Sequence, residues 1–188
     1  MHLFVLAGQS NMAGRGEVTP DRLEPIEGVY ALQQDGSWGP ALDPIHWDKS
    51  VAGVGLARSF ARAYLADNPG VQIGFIPTAC GGASVEVWVP GAFLEGTQSH
   101  PYDDALARVE AARHRGGLKG ILWHQGEADS RPDRVEPYRQ RLAGVFWQLR
   151  HDLGEPDLPI IIGQLGQFAG KEWTEERYEV DAIHQWIA

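Results

Sequence analysis

Four short, largely apolar runs are the clearest pattern in the chain. They occupy residues 3–7, 71–77, 118–123 and 158–165, and each is followed by glycine or by small polar residues. A short apolar run bounded by turn residues is typical of a strand that is buried on both faces of a parallel sheet. A further segment at residues 29–33 also resembles a strand.

Between these runs lie segments whose apolar residues recur at helical spacing. They cover residues 54–66, 101–115, 133–152 and 172–187. Strands that alternate with helices predict a parallel sheet with right-handed crossovers, and therefore a three-layer α/β/α sandwich. We find no linker or internal repeat, and 188 residues suit one domain, so we expect a single domain over residues 1–188.

Ser10 is the first candidate for chemistry, because it lies just past the end of the first predicted strand. In α/β sheets the carboxyl ends of the strands form the edge where ligands bind. A hydroxyl at that edge is placed to act as a nucleophile, and the backbone N–H groups of the same turn can stabilise the resulting oxyanion. The alternative is that Ser10 only caps a short helix, which is the more common role of a serine at such a turn.

Two further strand ends carry residues of the same kind. The second ends at Gly81 and Gly82, where the lack of side chains lets the backbone approach a ligand, so that an N–H can point at an oxyanion; a tight turn without that role is the alternative. The third ends at His124, Gln125 and Glu127. We interpret His124 as a packed residue. Glu127 either anchors the loop by hydrogen bonds or orients a basic group, and we favour anchoring.

Composition narrows the range of partners. The formal net charge is −9, with acids and bases scattered along the chain, so nucleic acid and anionic membrane surfaces are poor candidates. We find no signal peptide and no apolar run near the ~20 residues of a membrane span, so the cytoplasm is the default expectation. The single cysteine, Cys80, cannot form an internal disulfide, and we expect a small buried residue rather than a nucleophile. No spacing typical of a zinc site is present.

Taken together, the three strand ends resemble the SGNH-hydrolase superfamily. More closely, they resemble the carbohydrate acetylesterases grouped with sialate O-acetylesterase and acetylxylan esterase. The matching segments are residues 8–12 (Gly-Gln-Ser-Asn-Met), 81–82 (Gly-Gly) with 87–88 (Val-Trp), and 124–127 (His-Gln-Gly-Glu) with Asp129. Each segment alone is a weak signal. Their order and spacing match as well, and the resemblance covers essentially the whole chain.

The resemblance implies a flavodoxin-like fold and a serine esterase that removes O-acetyl groups from a small-molecule or polysaccharide sugar, with no metal or other cofactor. It assigns Ser10 as the nucleophile. It places the oxyanion between the N–H groups of Ser10 and Gly82 and the side-chain amide of Gln125. A neutral amide suits that role, because it donates an N–H without having a proton to lose. The residues expected to support the site are Gln9, Asn11 and Glu127.

The sequence leaves two possibilities for the histidine that would act as the general base of such an enzyme. The resemblance implies an Asp-x-x-His pair near the C-terminus, after a further strand. The late candidates, Asp181 and His184, fall inside the last predicted helix. We therefore expect the catalytic pair to lie beyond residue 188, with the last strand and helix of the fold missing; the alternative is that Asp181 and His184 are the pair. Asp43 and His46 have the same spacing but lie too early, and we interpret His46 as a loop residue, with a place in the lining of the site as an option.

Two other functions fit the same pattern. One is a non-catalytic carbohydrate-binding protein that keeps the fold and the pocket, and the other is an esterase or thioesterase for other short acyl groups. Trp38 and Trp47 either offer flat apolar faces to a sugar ring or cover the edge of the sheet. We expect the segment at residues 85–88 to lead to a wall of the pocket.

Overall fold

A mostly parallel sheet forms the centre of the structure, a computed structural model that describes residues 1–168, 170 and 172–187. Its strands are β1 (His2–Gly8), β2 (Val29–Leu32), β3 (Trp38–Pro40), β4 (Ile73–Pro77), β5 (Gly117–His124) and β6 (Ile160–Ile162). They lie in the order β3-β2-β4-β1-β5-β6. Among these six described strands only β3 runs antiparallel, as the partner of β2. The predicted α/β fold with a parallel sheet is confirmed.

The α-helices of the described part of the chain lie between and after these strands. They are α1 (Ser10–Ala13), α2 (Ala57–Asp67), α3 (Pro101–Ala112), α4 (Val135–Asp152) and α5 (Glu175–Ile187). Short 3-10 helices occur at Pro20–Leu23, Val85–Val87, Glu95–Thr97 and Arg113–Arg115. The helix α3 begins at a proline, whose fixed backbone angle suits the first position of a helix. None of the described helices has the length and apolar character that a membrane crossing requires.

Alternate side chains of β1 enter two separate hydrophobic clusters. Leu3, Val5 and Ala7 pack with residues of α3, α4 and α5. Phe4 and Leu6 pack with residues of α2. Because successive side chains of a strand point to opposite faces, helices cover both faces of the sheet. This explains why β1 is an unbroken apolar run rather than an alternating one.

The structure differs from the predicted elements mainly at the two edges of the sheet. The strand β3 was not predicted, because its three residues include a glycine and a proline and show no alternating pattern. The strand β6 covers only part of the predicted residues 158–165. Gly163 follows it, and its backbone packs so closely on His124 that an added Cβ would lie 2.5 Å from the ring carbon Cδ2.

The carboxyl ends of β1, β4 and β5 lie side by side. In the register of the sheet, Leu6 of β1 is opposite Pro77 of β4, and Gly8 is opposite His124 of β5. Gly8 has a φ of +123°, and a Cβ added to it would lie 2.1 Å from the carbonyl oxygen of His124. Only glycine permits this backbone approach. The segments that follow the three strands are thereby brought to one edge of the sheet.

Candidate active site

Ser10 lines a cavity of about 180 Å³ at this edge of the sheet. Asn11, Glu127 and Arg177 contribute the other polar side chains. The rest of the lining comes from Leu165, Gly166 and Phe168. The structure thus brings the predicted nucleophile together with two of its predicted supporting residues.

Ser10 is not the cap of the short helix that begins there. The N-cap position belongs to Gln9, and Ser10 is the first residue of α1. The backbone N–H of Ser10 donates to no backbone carbonyl in the described part of the chain, whereas the N–H of Gln9 donates to the carbonyl oxygen of His124 at 2.8 Å. Ser10 is half-buried and lines the cavity.

Gly82 lies on the neighbouring loop and offers a second free backbone donor. It is exposed, its φ is +89°, and its N–H meets no backbone carbonyl of the described residues. Hydrogen bonds on either side fix its position. The N–H of Cys80 donates to the carbonyl oxygen of Gly8 at 3.1 Å, and Gln125 Nε2 donates to the carbonyl oxygen of Ala83 at 3.2 Å. Gly82 itself is not part of the cavity wall that Ser10 lines.

The side chain of Gln125 is fully buried and does not line the cavity. Its Nε2 donates to Asp129 Oδ2, to the carbonyl oxygen of Ala83 and, at 3.3 Å, to Gln9 Oε1. Its Oε1 accepts from the Tyr138 hydroxyl at 3.0 Å. Because an amide nitrogen has only two protons, these buried acceptors already account for both. The geometry makes Gln125 a connector between loops, and its role as an oxyanion donor stays a prediction.

The predicted supporting residues tie the first and third strand ends together. Gln9 is 4% exposed, and its Oε1 accepts from the N–H groups of Gly126 and Ala128, each at 3.3 Å. Asn11 Nδ2 donates to Glu127 Oε1. The other carboxylate oxygen of Glu127, Oε2, is buried without a partner among the described residues. Glu127 therefore anchors the loop through one oxygen and leaves the second one unpaired beside the cavity.

Asp129 is a connecting residue whose role was not predicted. It is fully buried, and its Oδ2 accepts from the N–H of Val85 at 2.9 Å as well as from Gln125 Nε2. Burial raises the pKa of the Asp129 carboxyl, which these two hydrogen bonds oppose. This one side chain therefore joins the second strand end to the third. Its place in the matched segment was the only sequence signal for it.

A second connection that the sequence did not reveal fixes the turn at Gly81. Asp48 Oδ2 accepts from the N–H of Gly81 at 2.8 Å and from Arg15 Nη2 at 2.8 Å. A Cβ added to Gly81 would lie 2.3 Å from Arg15 Nη2, so the missing side chain makes room for the guanidinium. Asp48 lies in the irregular segment before α2, far from both partners in the sequence, and no local pattern could have predicted the contact.

Asp181 and His184 do not form a pair with each other. Asp181 Oδ1 accepts from the N–H of Leu165 at 2.9 Å, whereas His184 Nε2 is 2.8 Å from the Tyr138 hydroxyl. Burial lowers the pKa of His184 to about 4, so the ring is neutral near neutral pH. His184 is also absent from the lining of the Ser10 cavity. The geometry does not support the alternative in which this histidine activates Ser10.

Two other histidines do not line the Ser10 cavity. His124 is 5% exposed and packs against Gly163, as expected. His46 is 4% exposed and lines a different cavity. Asp43 does not hold it, because its carboxylate pairs with Arg58 at 3.6 Å. In the described part of the chain no histidine lines the Ser10 cavity.

Cys80, Trp88 and Trp38 are further residues that the sequence singled out, and none of them lines the Ser10 cavity. Cys80 is buried, as expected, and burial raises the pKa of its thiol. Trp88 is fully buried and packs edge to face on Trp123 at 5.0 Å between ring centroids, so it belongs to the core and not to a pocket wall beside Ser10. Trp38 covers the sheet at Gly74, where an added Cβ would lie 2.8 Å from its ring.

Comparisons with known proteins match the chain to one family. A family model described as carbohydrate esterase, sialic acid-specific acetylesterase, matches residues 1–186. A probable carbohydrate esterase of Arabidopsis thaliana is 34% identical over an alignment of 180 residues, and the match covers 85% of this chain and 66% of that protein. The alignment therefore spans just under two thirds of the relative's length.

Solved structures show the same fold. The structure of the same Arabidopsis thaliana protein superimposes with a TM-score of 0.84 at 30% identity, covering 100% of this chain and 81% of that one. A carbohydrate acetylesterase from Xanthomonas citri gives a TM-score of 0.72 at 19% identity, over 99% of this chain and 47% of that one. NanS gives 0.64 at 23% identity, over 86% and 66%. At these lower identities the last two support the fold alone.

Proposed function

The chain belongs to the carbohydrate esterase family described as sialic acid-specific acetylesterases, and from this premise we propose that it is a serine esterase that removes O-acetyl groups from a carbohydrate. Membership supports a carbohydrate acetylesterase-like activity in general terms. The nucleophile, the oxyanion donors and the acetylated sugar as substrate are our assignments from the site.

The observation that carries the proposal is the position of Ser10. Ser10 lines a cavity of about 180 Å³, smaller than the roughly 300–1,000 Å³ of pockets for drug-sized ligands. A space of this size suits an acetyl group with part of one sugar ring. The N–H groups of Ser10 and Gly82 donate to no backbone carbonyl among the described residues, and they lie in the segments that follow the neighbouring strands β1 and β4. We assign both as donors to the oxygen that develops negative charge.

In the proposed reaction, Ser10 Oγ attacks the carbonyl carbon of the ester, and the carbonyl oxygen becomes an oxyanion. That oxygen accepts from the N–H groups of Ser10 and Gly82. The intermediate collapses, the sugar oxygen leaves with a proton, and the acetyl group remains on Ser10. Water then attacks the acetyl carbonyl and releases acetate.

A base must take the proton of Ser10 in the first step and that of water in the second. No histidine among the described residues lines the Ser10 cavity. The unpaired Glu127 Oε2 beside the cavity is placed to orient a basic group there, in addition to the anchoring role of Oε1. We accordingly expect the 188-residue chain to be a slow esterase, because the members of a catalytic triad contribute non-additively.

Hydrolysis of p-nitrophenyl acetate tests the assignment. Ser10→Ala should reduce kcat/KM to the background rate, whereas Ser59→Ala, the same change at an exposed position of α2, should leave the rate unchanged. Retention of the rate in Ser10→Ala would show that another group is the nucleophile. Comparison of acetate with longer acyl esters tests the alternative of an esterase for other acyl groups.

The non-catalytic alternative is favoured by one observation, the absence of a histidine from the described lining of the Ser10 cavity. It would be established by a protein that binds sugars but hydrolyses neither p-nitrophenyl acetate nor an acetylated sugar at a rate sensitive to Ser10→Ala.

A further inference from the structure

Four consecutive backbone N–H groups in the loop after β4 differ in whether they have a partner. Those of Cys80 and Ala83 donate to backbone carbonyl oxygens, each at 3.1 Å. That of Gly81 donates to the side chain of Asp48, whose Oδ2 lies at 2.8 Å. The N–H of Gly82 meets no backbone carbonyl among the described residues. The proposed oxyanion donor is therefore the free one in a series whose other members are fixed.

The turn at Gly81 and Gly82 does not fix its own orientation. Glycine has the widest choice of backbone angles of any residue, and two of them follow each other here. A donor that stabilises an oxyanion must already be in place when the charge develops, because a displacement of about 1 Å can cost about 10²-fold in rate. The turn therefore needs a contact from outside that holds it in one orientation.

Asp48 supplies that contact. Other hydrogen bonds hold the residues on either side of the turn, Cys80 through Gly8 and Ala83 through Gln125. In the described part of the chain, the bond from the N–H of Gly81 to Asp48 is the one hydrogen bond that engages either glycine of the turn. The orientation of the turn therefore depends on where the Asp48 carboxylate lies.

The Asp48 carboxylate is in turn held by Arg15. Arg15 Nη2 donates to Asp48 Oδ2 at 2.8 Å, and Arg15 Nη1 lies 3.5 Å from Asp48 Oδ1. The side chain of Asp48 is only 3% exposed, whereas that of Arg15 is 24% exposed. A buried carboxylate needs a partner of opposite charge, and hydrogen bonds between charged groups are stronger than neutral ones. The guanidinium therefore keeps Asp48 in the position from which it accepts from Gly81.

Arg15 also connects this ion pair to the segment that carries Ser10. Its Nη1 donates to the carbonyl oxygen of Gly14 at 2.6 Å, and the N–H of Gly14 donates to the carbonyl oxygen of Ser10 at 2.8 Å. The N–H of Gly53 donates to the same Gly14 carbonyl oxygen at 3.1 Å and fixes this stretch from outside. A series of hydrogen bonds thus runs from Ser10 to Gly81, the residue before the proposed donor.

We propose that Asp48, held by Arg15, is a positioning residue of the reaction. It orients the turn so that the N–H of Gly82 faces the oxygen that becomes negative when Ser10 attacks the ester. The proposal rests on the proposed function, in which Gly82 is an oxyanion donor. Asp48 does not line the Ser10 cavity, so it acts only through the turn. Its loss should weaken stabilisation of the transition state and leave binding of the ester nearly unchanged.

Hydrolysis of p-nitrophenyl acetate by variants of Asp48 tests the proposal. Loss of a whole oxyanion donor costs about 10²–10³ in kcat, so Asp48→Ala, which only frees the turn, should lower kcat by about tenfold or more and change KM less than about twofold. Asp48→Asn keeps an oxygen that can accept from Gly81 and should recover most of kcat. Asp103→Ala is the matched control, because Asp103 Oδ2 accepts from the N–H of Gly91 at 2.9 Å, away from the site; its kcat should be that of the wild type.

Arg15→Met provides a second test, which does not depend on whether Asp48→Ala folds. It removes the guanidinium from a partly exposed position and should lower kcat severalfold with little change in KM. In the Asp48→Ala background the same substitution should have almost no further effect, because the two side chains act through one contact.

A wild-type kcat in a folded Asp48→Ala or Arg15→Met variant would overturn the proposal, and so would an equal loss in Asp48→Ala and Asp48→Asn. A rise in KM at constant kcat would also contradict it, because Asp48 would then act on substrate binding. Failure of the proposed function has a different signature. In that case Ser10→Ala would retain the wild-type rate, whereas failure of this inference alone leaves hydrolysis dependent on Ser10 and insensitive to Asp48.

Discussion

Replacement of Gly8 by alanine tests whether the close approach of β1 and β5 holds the candidate site together. Gly8 has a φ of +123°, where a residue with a side chain loses about 1–2 kcal/mol. An added Cβ would also lie 2.1 Å from the carbonyl oxygen of His124, so the two strands must separate. Forcing extra atoms into packed structure costs about 1–3 kcal/mol more. We therefore expect Gly8→Ala to lower the free energy of unfolding by about 2–5 kcal/mol.

Gly36→Ala is the matched control. Gly36 has a φ of +83°, but a Cβ added to it would meet no atom within 4 Å. In this variant the free energy of unfolding should fall only by the cost of the positive φ, about 1–2 kcal/mol. Urea unfolding followed by tryptophan fluorescence gives both free energies, provided that the m-value, the slope of the free energy of unfolding against urea concentration, is unchanged. If the two variants differ by less than about 1 kcal/mol, the reasoning from the approach of Gly8 to His124 is wrong.

Two further predictions concern the buried groups around the site. Asp129→Asn should change the free energy of unfolding by less than about 1 kcal/mol, because its amide oxygen can still accept from the N–H groups of Val85 and Gln125. Asp129→Ala removes that acceptor and should lower the free energy of unfolding by about 2–4 kcal/mol. Equal values for the two variants in urea unfolding would refute the connecting role. The folded-state pKa of His184, about 4, lies below its usual 6.5, so the unfolded state binds the proton first and stability falls as pH drops from 6.5 towards 4. In His184→Gln, whose amide can still hydrogen-bond to Tyr138, the free energy of unfolding should fall by up to about 3 kcal/mol less than in the wild type when the pH is lowered from 7 to 4. An equal fall in the two proteins would contradict this.

The sequence was sufficient for the centre of the fold. The strands β1, β4 and β5 are buried on both faces, so their apolar runs are unbroken and their ends carry the glycine and polar residues of the site. The edge strands were harder. The strand β3 has three residues with no alternation, and β6 is shorter than its apolar segment.

The candidate site could be predicted only in part, because residue types at a strand end do not fix side-chain directions. Ser10, Asn11 and Glu127 share a cavity as expected. Gln125 turns inward instead, because Asp129, four residues later, offers its amide a buried acceptor. The contact of Asp48 with Gly81 joins segments 33 residues apart and has no local signature.

The central claim is that the hydroxyl of Ser10 is the nucleophile of this protein. Treatment with diethyl p-nitrophenyl phosphate, followed by peptide mapping in a mass spectrometer, tests it directly. We expect a single diethylphosphoryl adduct, on the peptide that contains Ser10, and no adduct in Ser10→Ala. An adduct at any other residue, or an unmodified Ser10 after prolonged treatment, would contradict the account.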